Sequence, residues 1–237
     1  MEYALYLESG PQHKKTMVHV LGLLGCVANG PTTEAALDAT PEAIRAYLRF
    51  LQRRGEDLQP DAPFTTVVAE HVTEGMWLGN GSPYLTFRPD LEPVSEGEME
   101  TYRERFHAMR QALASWAETQ SDAQLGAAPK GGGRTARAIL EHVLATPGAY
   151  LSPITGAPGV SRIRTLCERG QMPLAEGLRQ VEEIMSERLR ETTPQQRSEV
   201  LERGQIVRTL RKQVRRTLEH DWEHLAELSL RPGGPLL

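Results

Sequence analysis

Residues 205–230 read QIVRTLRKQVRRTLEHDWEHLAELSL. Ile206, Leu210, Val214, Leu218, Leu225 and Leu228 recur there at spacings of three, four and seven, the period of an amphipathic helix with one buried stripe. His220 and His224 stand four residues apart, so both imidazoles leave the same face, one turn apart. At about 100° per residue, His224 lines up with Ile206. Leu210 and Leu228 lie about 40° to one side of it and His220 about 40° to the other. The pair is expected at the edge of the buried stripe.

Such a helix cannot hide its stripe alone, and three more amphipathic segments precede it. Ser95 and Glu98 form a capping box, opening a helix through Met99, Tyr102, Phe106, Met109, Leu113 and Trp116. A second runs from about Arg134, after Lys130-Gly131-Gly132-Gly133, to about Leu151, with a disturbance at Pro147-Gly148. A loop rich in Pro and Gly reaches to about residue 170. A third helix from Pro173 buries Leu174, Leu178, Val181, Met185 and Leu189. These four segments predict a four-helix bundle over residues 95–230, with one long crossover between its second and third helices.

His142, in RAILEHVLA, lies on a core-facing row with Ala138, Ile139 and Ala145. With His220 and His224 it offers three neutral nitrogen ligands from two helices, leaving further coordination positions open, as a reactive metal site requires. Imidazole suits zinc, nickel, copper or iron, so ligand type does not choose among them. Proton competition is expected to lower occupancy below about pH 6. Glu227, one turn beyond His224, either orients a ligand or is a surface acid. His13, His19, His71 and His107 read as structural or solvent-facing.

The first part of the chain reads differently. Tyr3, Leu5 and Leu7 alternate with Ala4, Tyr6 and Glu8, a strand pattern. Thr16–Leu21 is a second strand, Cys26–Ala28 a short third. Thr32 caps a helix from Thr33 that kinks or restarts at Pro41 and ends near Arg53-Arg54-Gly55. Residues 1–58 thus form a small β-β-β-α domain. Residues 59–94 form a connector with strand-like stretches at 64–72 and 76–87, interrupted by the turn residues Gly79-Asn80-Gly81-Ser82-Pro83; it stands apart or joins that domain. The fold class is α+β.

Composition narrows the function. A hydrophobic share of 39%, a charged share of 24% and only two cysteines, Cys26 and Cys167, describe a globular chain without a disulfide framework. No apolar run is long enough for a membrane span, and no leader pattern opens the chain, so the expected location is the cytoplasm. The net charge of −4 disfavours nucleic-acid binding; Arg208, Arg211, Lys212, Arg215 and Arg216 read as a charged outer face.

Two resemblances follow. TARAILEHVLATPGAYL and IVRTLRKQVRRTLEHDWEHLAEL make residues 95–230 similar to the DinB-like superfamily, which includes thiol-dependent transferases and maleylpyruvate isomerase-like proteins. The resemblance implies a divalent metal (zinc, nickel or iron) held by His142, His220 and His224. It also implies a small-molecule substrate and a low-molecular-weight thiol, whose pKa the cation lowers. No protein nucleophile is then needed, and Cys167 is a weak candidate for one. Arg162 and Arg164 either contact an anionic substrate or decorate a solvated loop. HVLGLLGCVANGPTTEAALDATPEAIRAYL, with Gly25-Cys26, Gly30, Thr32 and Glu34-Ala35, resembles the HicB-like fold of antitoxins. No DNA-binding segment accompanies it, which leaves that unit a role in dimerisation or in covering the metal site. The leading expectation is a metal-dependent transferase or hydrolase with unassigned catalytic residues, possible as a homodimer. The alternative is a non-catalytic binding or regulatory module.

Overall fold

The computed structural model describes residues 1–237. Packing divides the chain into two compact units, Met1–Val94 with Arg197–Glu219, and Ser95–Gln196 with His220–Leu237. No helix is long and apolar enough to cross a membrane.

In the first unit β1 (Glu2–Ser9), β2 (Lys14–His19), β3 (Val27–Thr32) and β4 (Thr65–Val72) form one sheet in the order β3-β2-β1-β4. β1 pairs antiparallel with β2 and parallel with β4, and β2 antiparallel with β3. Residues 65–72 therefore belong to the sheet. Tyr3, Leu5 and Leu7 are buried as their alternation predicts. Helix α1 (Thr33–Arg53) is capped by the Thr32 hydroxyl, which accepts from the Ala35 amide at 3.1 Å. It buries Ile44, Tyr47, Leu48 and Leu51. Gly25 has φ +95°, and a Cβ there would lie 2.3 Å from the Tyr47 hydroxyl, so this turn accepts only glycine.

Several local expectations fail for identifiable reasons. α1 runs through Pro41 without restarting, and the Thr40 hydroxyl donates to the Ala36 carbonyl of the preceding turn at 2.8 Å. Residues 76–87 form no strand; Gly79 and Gly81, within the expected interruption, take positive φ, and so does Trp77 at +61°, so turn chemistry spreads beyond the interruption and overrides the apolar pattern. The helix expected from Gln205 begins only at Leu210. Before it β5 (Leu201–Arg203) and β6 (Ile206–Arg208) form a hairpin, and Thr209 caps the helix by accepting from the Lys212 amide at 3.1 Å.

The basic residues of 211–216 are mostly not an outer face. Lys212, Arg215 and Arg216 are buried. Arg215 binds Asp90 through two bonds of 2.8 Å and Glu219 at 2.9 and 3.0 Å. His19, also buried, lies between Glu219 at 2.9 Å and Glu8 at 3.3 Å. Burial pulls the His19 pKa down, but the charge and hydrogen bond of Glu219 and the bond with Glu8 overcome it and hold it above its ordinary 6.5. Burial pushes Lys212 down to about 8 while its ammonium donates to the carbonyls of Pro83 and Val207, both at 2.8 Å.

The second unit is helical, with α2 (Glu96–Glu118), α3 (Asp122–Gly126), α4 (Ala136–Tyr150), α5 (Ser152–Thr155), α6 (Val160–Glu168), α7 (Leu174–Arg190) and the start of α8 (Pro194–Ser198). The segment expected as a loop before residue 170 thus holds α5 and α6. Helix α9 (Leu210–Ser229) contributes His220 onward. α2 packs on α7, and α4 on α6 and α7, through side chains such as Phe106, Leu113, Val143, Leu144, Val181 and Met185. A buried ion pair crosses this core. Arg110, wholly buried, donates to Asp221 at 2.5 and 3.0 Å and to the Val143 carbonyl at 2.9 Å. It ties α2 to α9 beside His220 and to α4 beside His142.

Removing one partner of a fully buried ion pair costs about 3–5 kcal/mol, whereas replacing both by apolar groups is often neutral. Arg110→Met should therefore lose that amount in urea denaturation, and the double variant Arg110→Met/Asp221→Leu should regain much of it; a loss below about 1 kcal/mol in the single variant contradicts this role. The raised pKa of His19 contributes stability fully below the unfolded value of 6.5, and the contribution disappears as pH rises through the folded value. Lys212 acts oppositely, its burial cost easing between about 8 and 10.5. Between pH 6.5 and 8 the wild-type urea midpoint should fall more steeply than that of His19→Gln, and parallel profiles would exclude the effect.

Candidate metal centre

His142 projects from the second turn of α4, a helix capped by the Thr135 hydroxyl, which accepts from Ala138 at 3.1 Å. His220 and His224 project from successive turns of α9, their ring centroids 4.5 Å apart. The His142 ring stands 4.6 Å from that of His220 and 5.2 Å from that of His224. One nitrogen from each ring lies within 4.8 Å of the others. His220 and His224 are buried and His142 is exposed, so the cluster opens to solvent at His142.

The outer nitrogens of the α9 pair are occupied. The Thr146 hydroxyl donates to the His142 carbonyl at 3.0 Å, so toward His220 Nδ1, 3.1 Å away, it acts as acceptor. His224 Nδ1 donates to Glu227 at 3.0 Å, and Arg231 donates to the other oxygen of Glu227 at 3.1 Å. Both bonds leave Nε2 with its lone pair, the tautomer that a metal ligand needs. His220 Nε2 and His142 Nε2 approach to 2.8 Å. Two lone pairs repel at that distance, so either a shared proton or a cation must reconcile them.

Burial pushes the His224 pKa down to about 4, assisted by the charge of His220. Burial, then His220, lowers that of His142 as well. Both rings are neutral at pH 7, and for His224 the neutral form persists well below the pH of 6 expected from an ordinary imidazole.

Other residues singled out in the sequence lie elsewhere in the structure. Cys167 is buried, and burial with nearby carboxylates raises its thiol to about 11, which removes it as a nucleophile at neutral pH. Its sulfur faces Gly177, where a Cβ would sit 2.4 Å away. Arg162 and Arg164 are exposed on α6, Arg164 paired with Glu168 at 3.2 Å. His107 contacts Glu182 at 3.0 Å, and His71 the Ser9 hydroxyl at 2.8 Å. Thr146 and Arg110 were missed. Arg110 had a legible signal: four residues after Phe106 and three before Leu113, it sits on the apolar stripe of α2.

A protein-family model described as the DinB superfamily matches residues 105–228, just over half of the chain. The matched span contains all three histidines together with Arg110, Thr146, Asp221 and Glu227. No curated protein and no solved structure matches the chain. The chain belongs to the DinB superfamily.

Proposed function

We propose that the second unit is a divalent-metal enzyme, with His142, His220 and His224 as the protein ligands of one ion. The reading is carried by the convergence of three imidazoles within 4.8 Å, two of them held through Nδ1 by Thr146 and Glu227. This donor set fits zinc, nickel or iron. When bound, such an ion acidifies a small thiol or water and polarises an electrophile. The chain's own part is to orient the rings, keep them neutral, and leave access on the exposed His142 side. In this reading α2, α4, α7 and His220–Ser229 are the four rods of a DinB-like bundle. The reaction we assign is transfer of a low-molecular-weight thiol to a small electrophile, or hydrolysis at the same centre.

A binding module is the second reading. The order β1-β2-β3-α1 and the half-exposed Val67 and Val68 on the edge strand β4 favour a HicB-like unit that recognises a protein partner or a second copy.

Metal analysis decides between them. Purified wild type should bind about one equivalent of zinc or cobalt per chain, and His220→Ala/His224→Ala should bind none while keeping its far-ultraviolet circular dichroism. Failure of the wild type to bind either ion, or unchanged binding in the double variant, contradicts the enzyme reading.

A further inference from the structure

One cation near the cluster is only loosely paired. Arg134 is 44% exposed along its side chain and approaches both Glu227 and His224 through Nη2 alone, at 3.4 Å in each case. The Glu227 contact is at the outer limit of a hydrogen bond, and the His224 contact is none, because Nδ1 carries the proton it donates to Glu227. Glu227 is meanwhile engaged more closely by His224 at 3.0 Å and by Arg231 at 3.1 Å. Two guanidinium groups therefore share one carboxylate, and Arg134 is the loosely held one. It follows Gly131-Gly132-Gly133, where a Cβ at any position meets nothing within 4 Å and the last two residues take φ of +79° and +98°. The segment carrying Arg134 thus stands in open space.

We propose that Arg134 is the anion-recognising residue of the centre: its guanidinium takes the carboxylate of a small anionic substrate in place of Glu227. The proposal rests on the metal-centre reading and narrows its substrate class to carboxylate-bearing small molecules. A planar guanidinium fork matches a carboxylate through two parallel bonds, and Glu227 shows that a carboxylate already reaches this position. A resident cation at the histidines adds positive charge, so the rim favours an anion further. His142, the exposed ligand, leaves the centre open for such a molecule to span both groups.

The test compares two thiols on cobalt-loaded protein, followed by near-ultraviolet absorption of the bound thiol. 3-Mercaptopropionate carries a carboxylate and 2-mercaptoethanol does not. The wild type should hold the first about tenfold more tightly, and Arg134→Ala should erase that preference while leaving cobalt affinity unchanged. Arg134→Lys should retain part of it, as a point charge without the fork. A preference that survives in Arg134→Ala, or its absence from the wild type, overturns the proposal with the metal centre intact. Arg134-dependent competition that is stronger from inorganic phosphate than from acetate overturns the choice of carboxylate. No cobalt binding in the wild type overturns the metal-centre reading and this proposal with it.

Discussion

A single buried ion pair, Arg110 with Asp221, sets the geometry on which the histidine cluster depends. Both side chains are fully shielded, so each gives up a hydration shell worth several kcal/mol, and their attraction roughly offsets that loss. Arg110 Nη1 has no hydrogen-bond partner, so even the guanidinium fork is incompletely satisfied. The pair is thus a poor device for stability and a good one for register. Any rotation of α9 or slide of α4 that broke these bonds would strand a charge in the core. His220 is the neighbour of Asp221, and His142 the neighbour of Val143, whose carbonyl Arg110 also holds. Registering the backbone at those two points places the imidazoles.

The surrounding contacts finish what the ion pair begins. Thr146 turns one ring and Glu227 another, each by taking the outer proton. Burial then keeps His224 neutral, and partial desolvation with the neighbouring His220 does the same for the more open His142. Packing contributes the convergence, hydrogen bonds the tautomers, and desolvation the protonation state. Three separate physical effects therefore prepare nitrogen lone pairs at one place, next to a glycine-rich segment that carries a loosely held arginine.

Much of this was legible in the chain, and the misses share a cause. The HxxxH spacing fixed one face of one helix by geometry alone, and the apolar periods located α2, α4 and α7. Nothing local states that α4 faces α9, and only the shared family pattern joined His142 to the pair. The buried charges were misread because a helical wheel assigns Lys212, Arg215 and Arg216 to solvent by their type. Their partners, Pro83, Asp90 and Glu219 among them, come mostly from distant sequence, which periodicity cannot see. The hairpin β5–β6 was hidden because Ile206 happens to continue the helical period, while Gly204, with φ +59°, and Thr209 mark the true boundary. Pro41 misled in the other direction, its helix being held by packing on both sides of the proline.

Anomalous diffraction from zinc-loaded crystals, recorded across the zinc edge, addresses the central claim most directly. The account requires one strong peak bonded to a ring nitrogen from each of His142, His220 and His224, with Thr146 and Glu227 still on the outer nitrogens of the α9 pair. A peak touching only two of the three rings, or zinc bound solely elsewhere on the molecule, would contradict it.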